Sequence, residues 1–429
     1  MRVGIGENED WVSSEQRESV MSRKMVRGWG WVFFLGIMIN PGVAQAGGFA
    51  QGFQGAAAAG VRGAMTARPT VPEAGYFNPA GLVLQGEWGV SGGASGIFPF
   101  VSHEEPATGE RTRAEVDGAF PPNLHGFVRW RNLGAGLSLG IPYGSGLQWP
   151  EDWSGRFEVT STRLTAFEAA PSVAWRPVEW LAIGGGPRFS LATVGFQRQI
   201  DVARPGEEAS VDLTASTVGL GGQVGLWAQP LDLLSVGLSW RSAVTLDFEG
   251  IARFEDVPPE LQHQARDARA ETTLILPDRV ALGVGYQLGA FGMVSLDLEY
   301  NRWSVYETFE VRFDNQGAEG PEDLLERRDW EDTLTMRVGV EYFSPLDGLA
   351  IRSGFAIDPS PAREETLSPA QPDMDRYIMS LGAGYQAGER LFVDMAYNYV
   401  ILSRTASAGD FAGIYDGQVH VFSLGITLR

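Results

Sequence analysis

Residues Val294 to Asn301 read Val-Ser-Leu-Asp-Leu-Glu-Tyr-Asn, four bulky apolar side chains alternating with four polar ones. Successive side chains of a strand point to opposite faces, so Val294, Leu296, Leu298 and Tyr300 share one face and Ser295, Asp297, Glu299 and Asn301 the other. The same beat returns in Leu133 to Ile141, Val280 to Tyr286 and Phe422 to Leu428, with small residues, mainly glycine and serine, dominating the minor phase. Stretches of this kind between turn residues predict strands at 87–101, 122–131, 133–142, 163–176, 180–200, 209–228, 233–253, 270–287, 291–313, 332–344, 349–358, 375–387, 390–405 and 418–429. A soluble sandwich would carry Lys, Glu and Thr on its outer phase, whereas Gly and Ser with isolated charges suit a lumen whose opposite face meets lipid. Short turns such as Arg131-Asn132, Pro230-Leu231-Asp232 and Gly388-Glu389 alternate with long polar loops. That alternation predicts an all-β fold, a transmembrane antiparallel up-and-down β-barrel of about 14 strands; one merged or split hairpin would give twelve or sixteen.

Trp130, Trp175, Trp180, Trp240, Trp303, Tyr342 and Tyr399 fall near strand ends, where amphipathic rings form interfacial girdles. Gly47 to Leu84 is rich in Gly and Ala and does not alternate. It is too hydrophobic for a tail and too long for a turn, and a barrel of this size has room inside. The domains expected are therefore a leader at 1–46, a hatch or plug in the lumen at 47–84 and the barrel at 85–429. Within the leader, Arg23, Lys24 and Arg27 precede the apolar run Trp29 to Ile39 and an Ala44-Gln45-Ala46 cleavage signal, the pattern of a secretory signal peptide. Residues 1–20 are long and acidic for that role, and a start at Met21 or Met25 would give a more ordinary signal.

No later segment has the roughly 20 apolar residues of a membrane helix, which excludes a helical transporter. The chain has no cysteine, so disulfide and thiolate chemistry are excluded. Its net charge of −20 sits mainly in connecting segments such as Glu255 to Glu271 and Asp314 to Asp332, and the lack of clustered Lys and Arg argues against nucleic acid. His103, His125, His263 and His420 are scattered without metal-ligand spacing, and no cofactor is expected. Ser138 completes a Gly-x-Ser-x-Gly pattern, but inside an alternating strand rather than a strand-to-helix turn, so no catalytic residue is expected. Gly283-Val284-Gly285 and Gly382-Ala383-Gly384 continue as strand and read as lumen-facing glycines. The acidic run from Glu319 through Glu322, Asp323, Glu326 and Asp329 to Glu331 reads as a solvated loop, the other reading being divalent-cation binding near lipopolysaccharide.

The plug ends in Tyr76-Phe77-Asn78-Pro79-Ala80-Gly81-Leu82, and with Gly60-Val61-Arg62-Gly63-Ala64, Trp153-Ser154-Gly155-Arg156-Phe157, Leu276-Pro277-Asp278-Arg279-Val280 and Arg337-Val338-Gly339-Val340-Glu341-Tyr342 in this order the chain resembles the long-chain fatty-acid transporter family of outer-membrane proteins (FadL/TodX type). The resemblance covers essentially the whole mature chain. It implies a monomeric fourteen-stranded barrel in the outer membrane of a Gram-negative bacterium, among lipid and lipopolysaccharide, passing hydrophobic small molecules passively. It further implies gating by a hatch at Asn78, Pro79 and Ala80. A lateral opening is implied at an inward kink of the third strand, here Gly140-Ile141-Pro142-Tyr143-Gly144; the other reading of Pro142 is that it ends the strand. A lumenal arginine would meet a ligand carboxylate at Arg198, with Arg188, Arg241 and Arg352 as alternatives paired to Asp297, Glu299 or Asp394. Trp149, Trp153 and Phe157 would gather apolar ligand at the surface, or else pack the loop. Two other classes stay in view: an outer-membrane lipase or phospholipase, which needs a nucleophile beside a histidine on the outer face, and a non-transporting barrel acting as adhesin or receptor. The C-terminal residue, Arg429, departs from the aromatic usual in barrel-assembly signals.

Overall fold

In the computed structural model the described residues are 47–204, 207–314, 320–408 and 411–429; the leader features at 1–46 and Glu319 of the acidic run lie outside them. Fourteen antiparallel strands form the barrel. They are β1 (Trp88–Glu104), β2 (Pro122–Trp130), β3 (Leu133–Gln148), β4 (Ser161–Val178), β5 (Leu181–Arg204) and β6 (Glu207–Leu231), then β7 (Leu234–Arg241 and Val244–Glu255) and β8 (Ala268–Leu276 and Arg279–Gln287), each interrupted once. The circuit continues with β9 (Gly292–Asn301), β10 (Thr333–Phe343), β11 (Leu349–Asp358), β12 (Arg376–Gln386), β13 (Leu391–Ser407) and β14 (Gly413–Leu428). Each strand pairs with its sequence neighbour, and β1 closes the ring against β14 from Val90↔Leu428 to Glu104↔Ile414. Closure removes the free sheet edges that would otherwise invite aggregation.

The element predicted at 291–313 divides: β9 stops at Asn301, a 3-10 turn spans Trp303–Val305, and Thr308–Phe313 pairs with Leu324–Arg327 in a loop hairpin. The third strand does not end at Pro142; it continues to Gln148.

Alternation holds along the wall, but its meaning reverses part-way. Nearer the short turns, Val218, Leu220, Val224 and Leu226 of β6 face outward, while Gln223 faces in. Toward the long loops Val211, Leu213 and Ala215 are buried and Thr214 and Ser216 face out. The chain makes this swap in two ways. In β6 the apolar phase slips by one residue between Ala215 and Val218. In β7 it never slips: Val236, Leu238 and Trp240 point outward or along the wall, and Val244, Leu246 and Phe248 point in, because Ser242 and Ala243 break the ladder between them. Opposite them, Pro277, which has no N–H, breaks β8. Ser242 is instead held by β6, its N–H donating to Gly222 O and its Oγ accepting from Gly222 N, both at 2.9 Å. In β6 and β7 the half near the turns is thus apolar outside and polar inside, and the half toward the loops is the reverse.

Candidate functional site

Residues 47–84 include two short helices, α1 (Ala56–Gly60) and α2 (Ala74–Phe77), and a 3-10 turn at Pro79–Val83, and are almost wholly buried. Their contacts run round the inward faces of the wall. Gly60 O accepts from Ser380 Oγ of β12 at 3.1 Å, and Met65 N and Thr66 N both donate to Asp297 of β9 at 2.9 Å. Ala67 O accepts from Trp227 Nε1 of β6 and Ser235 Oγ of β7 at 3.2 and 2.9 Å. Asn78 ends the circuit: its Nδ2 donates to Thr66 O at 2.8 Å and to Leu226 O at 2.9 Å, and its Oδ1 accepts from Ala80 N at 3.1 Å, capping the turn that Pro79 opens. Asn-Pro-Ala rests on two wall glycines. A Cβ on Gly184 of β5 would lie 2.5 Å from Pro79 C and 2.6 Å from Ala80 N, and one on Gly225 of β6 would overlap the Asn78 amide. The glycine phase of the wall is here a cradle for a backbone.

A ring of buried ion pairs surrounds the segment. Glu168 of β4 lies between two arginines: Arg188 donates to it at 2.9 and 2.6 Å, and Arg241 pairs with its other oxygen. Arg337 donates to Glu299 at 2.8 Å, and Arg352 bridges Glu341 and Asp394 at 2.6 and 2.5 Å. The ring reaches the segment directly. Arg68 pairs with Glu341, Arg241 donates to Tyr76 O at 3.0 Å, and Arg279 donates to the Tyr76 hydroxyl at 3.2 Å.

At β3 the wall changes partner. Its ladder with β2 ends at Leu124↔Leu139, and its register against β4 shifts between Gly140 and Tyr143. Beyond that point the N-terminal segment replaces β2: Gln51 N donates to Pro142 O at 2.8 Å, Gly144 N to Phe49 O at 2.9 Å and Gln54 Nε2 to Ile141 O at 2.9 Å. Ile141, Pro142, Tyr143 and Gly144 are all buried.

Toward the loops lies a partly open cavity of about 90 Å³, lined by Phe49, Leu164, Phe196, Leu213, Phe248, Tyr306 and Phe309 among others. Phe49 forms one wall, packed on Trp303, Trp330 and Tyr306 at centroid distances of 4.8, 5.7 and 5.9 Å. Arg328 is a buried cation of the cavity. Its Nη2 donates to Glu326 at 2.5 Å and its Nε has no partner.

A model of the outer membrane protein transport proteins (OMPP1/FadL/TodX) matches residues 37–429. The chain belongs to this family. Among curated relatives it is 25% identical to outer membrane protein P1 of Haemophilus influenzae over 74% of this chain and 76% of that one. It is 24% identical to a long-chain fatty acid transport protein of Salmonella typhi over 75% and 80%. The fold is that of a Pseudomonas aeruginosa FadL homologue, TM-score 0.78 at 20% identity over 89% of this chain and 99% of that one. It is also that of the P. putida toluene transporter TodX, TM-score 0.72 at 14% identity over 87% and 98%.

As in its family, the barrel resides in the outer membrane, so the outward apolar half faces lipid. Trp130, Trp175, Trp180, Trp240 and Tyr342 are exposed on that surface, but Trp303 is not: at 1% exposure it belongs to the Phe49 cluster. Trp149 and Trp153 are likewise no exposed patch. They stack at 4.5 Å, their indole N–H groups donate to Pro369 O and Val159 O, and His103 and Phe411 pack around them; Phe157 stays half-exposed under the Arg156 guanidinium. Arg198 lies half-buried beyond the cavity and does not line it. Arg188, Arg241 and Arg352 are lumenal, and Arg352 pairs with Asp394 as expected; the other partners are Glu168 and Glu341, while Asp297 caps backbone N–H groups and Glu299 takes Arg337. Arg328 went unnoticed because it lies in the acidic stretch read as solvated; Arg327-Arg328 two residues before Trp330 was the available signal. Ser138 stands opposite His125 in the β2–β3 ladder, yet both are buried on the inward face and neither ring nitrogen of His125 is hydrogen-bonded.

Within the segment, burial raises the Glu73 carboxyl to about 7; Ser91, Asp394, Arg352 and Arg429 are its polar neighbours. A raised carboxyl contributes stability that is full below its ordinary range near 4.5 and is lost as pH rises through 7. Amide protection over residues 56–80, after correction for the intrinsic pH dependence of exchange, should therefore fall between about pH 4.5 and pH 7, and Glu73→Gln should flatten that profile.

Proposed function

We propose that this protein passes hydrophobic molecules such as long-chain fatty acids or hydrocarbons passively across the outer membrane, as a monomer, with residues 47–84 as the hatch and the β2–β3 separation as the lateral opening. One observation carries the reading: β3 leaves β2 at Gly140 and takes residues 49–54 as its partner, so a shift of the N-terminal segment would open the cavity and the wall together. Asn78, Pro79 and Ala80 fix the far end of that segment to β5 and β6. A lateral exit suits the cargo, because a water-filled pore would expose each CH₂ at about 0.8 kcal/mol. The family match and the relatives named for fatty-acid and toluene transport support the same cargo class. No catalytic step and no cofactor is part of this scheme.

Arg328 serves as the anchor for a carboxylate, since a guanidinium with a free N–H in an apolar cavity gives a strong charge-assisted bond. In knockout cells carrying the gene on a plasmid, Arg328→Met should cut uptake of radiolabelled oleate about tenfold, the loss of one such bond, and leave toluene uptake unchanged. Equal uptake of both by knockout and complemented cells would overturn the transport reading and favour a surface receptor.

A further inference from the structure

The cavity has a second boundary, at β8. The outer half of β8 is paired with β7 from Ala268↔Ala252 to Leu276↔Val244, but on its other edge, among the described residues, the partners stop at Glu271: Arg269 O accepts from Asp314 N at 2.9 Å, and Ala270 and Glu271 pair with Phe313 and Arg312. The cause is local: β9 stops at Asn301, and the chain turns through Trp303–Val305 before resuming as strand at Thr308. Thr272 to Leu276 therefore has no ladder partner on that edge among the described residues. At about 3.3 Å per residue, those five positions leave roughly 16 Å of unpaired edge.

A groove occupies this place, lined by Thr273 and Ile275 on one side and Val305 and Glu307 on the other. Phe248, Thr272 and Tyr306 line both the groove and the inner cavity, so the two spaces share a wall one side chain thick. Outside it the surface is polar, since Thr245, Asp247 and Glu249 face outward here. The groove therefore opens above the lipid-facing half, where water can satisfy the unpaired edge. Its rim carries Asp247, Glu249, Glu271, Glu307 and Glu310 against one arginine, Arg312, which Glu310 already holds at 2.7 and 2.8 Å.

We propose that the β8–β9 window is a second portal, through which uncharged or cationic amphiphiles reach the cavity from the aqueous side while the acidic rim turns carboxylates away. This rests on the reading of the cavity as a ligand site. Tyr306, packed on Phe49 and Trp330, stands at the threshold, so passage there is coupled to the N-terminal segment.

The test uses the purified full barrel in detergent. A bromoalkylamine and a bromoalkanoate of equal length are mixed with it in stopped flow, and the fluorescence quenching lost in Trp330→Phe reports arrival in the cavity. The chain has no cysteine, so Ile275→Cys/Val305→Cys can be bridged cleanly with a bis-maleimide. Bridging should slow amine arrival about tenfold without changing the final quenching, and Glu271→Gln/Glu307→Gln should bring the amine and alkanoate rates together, most visibly at low salt. Rates unchanged by bridging, or a rate ratio indifferent to rim charge and salt, would overturn the portal alone. No cavity quenching by either compound in the parent protein would overturn the cavity reading and the portal with it.

Discussion

Glu168→Gln should lower the stability of the folded barrel by about 3–5 kcal/mol, the usual result of removing one partner from a buried ion pair. Glu168 is the shared counter-ion of Arg188 and Arg241, and all three are essentially removed from water. Glutamine keeps the shape and one acceptor oxygen but leaves two guanidinium groups facing each other. Arg241 also donates to Tyr76 O, so the N-terminal segment should loosen with the wall. The measurement is the urea midpoint of the refolded barrel, followed by its heat-modifiable gel mobility. The exposed pair Arg312 and Glu310 supplies the comparison, and Arg312→Gln should leave the midpoint where it was. Equal midpoints for Glu168→Gln and the parent would show that the ring of charges does not hold the lumen together.

The largest functional change is expected from one methine carbon in the cradle. Gly225→Val places a Cβ into the Asn78 side chain, which cannot yield without losing its bonds to Thr66 O and Leu226 O. The barrel ladder does not involve that side chain, so the wall should form normally while the segment is driven from its seat. The expected phenotype is a folded, heat-modifiable barrel with lost oleate uptake and new leakage of large hydrophilic solutes, read by liposome swelling. Gly222→Val in the same strand meets only Gly186 O, at 3.9 Å, and should behave as the parent does. Normal uptake and no leakage in Gly225→Val would remove Asn-Pro-Ala from the gating scheme.

Much of this architecture is legible in the sequence because alternation and turn length are local properties. The pattern of Val294 to Asn301 assigns its faces, and Leu296 and Tyr300 do lie outward with Asp297 and Asn301 inward. What alternation lacks is a sign. Val236 to Phe248 keeps one apolar phase throughout, yet a two-residue break turns that phase from the outside of the barrel to the inside. Nothing in the residue types announces the reversal except Pro277 across the ladder. For the same reason Trp303, which its place near a strand end puts in the girdle, is buried: the chain turns inward there. The site depended on such tertiary events. Arg328 is buried only because the hairpin of Thr308–Phe313 and Leu324–Arg327 folds over the cavity, and Arg198 misses it because β5 runs past the cavity. Asn78-Pro79-Ala80 could be singled out by resemblance, but its seat on Gly184 and Gly225 could not.

Reversal of the wall's faces also sets where a ligand becomes dry. On the proposed route an apolar molecule in the Phe49 cavity would shed its hydration shell at a height where the outer faces of β6 and β7 are polar. Dehydration and membrane insertion are then separate events at different heights. On that route the slow crossing of the polar outer layer would be replaced by transfer between two oily phases.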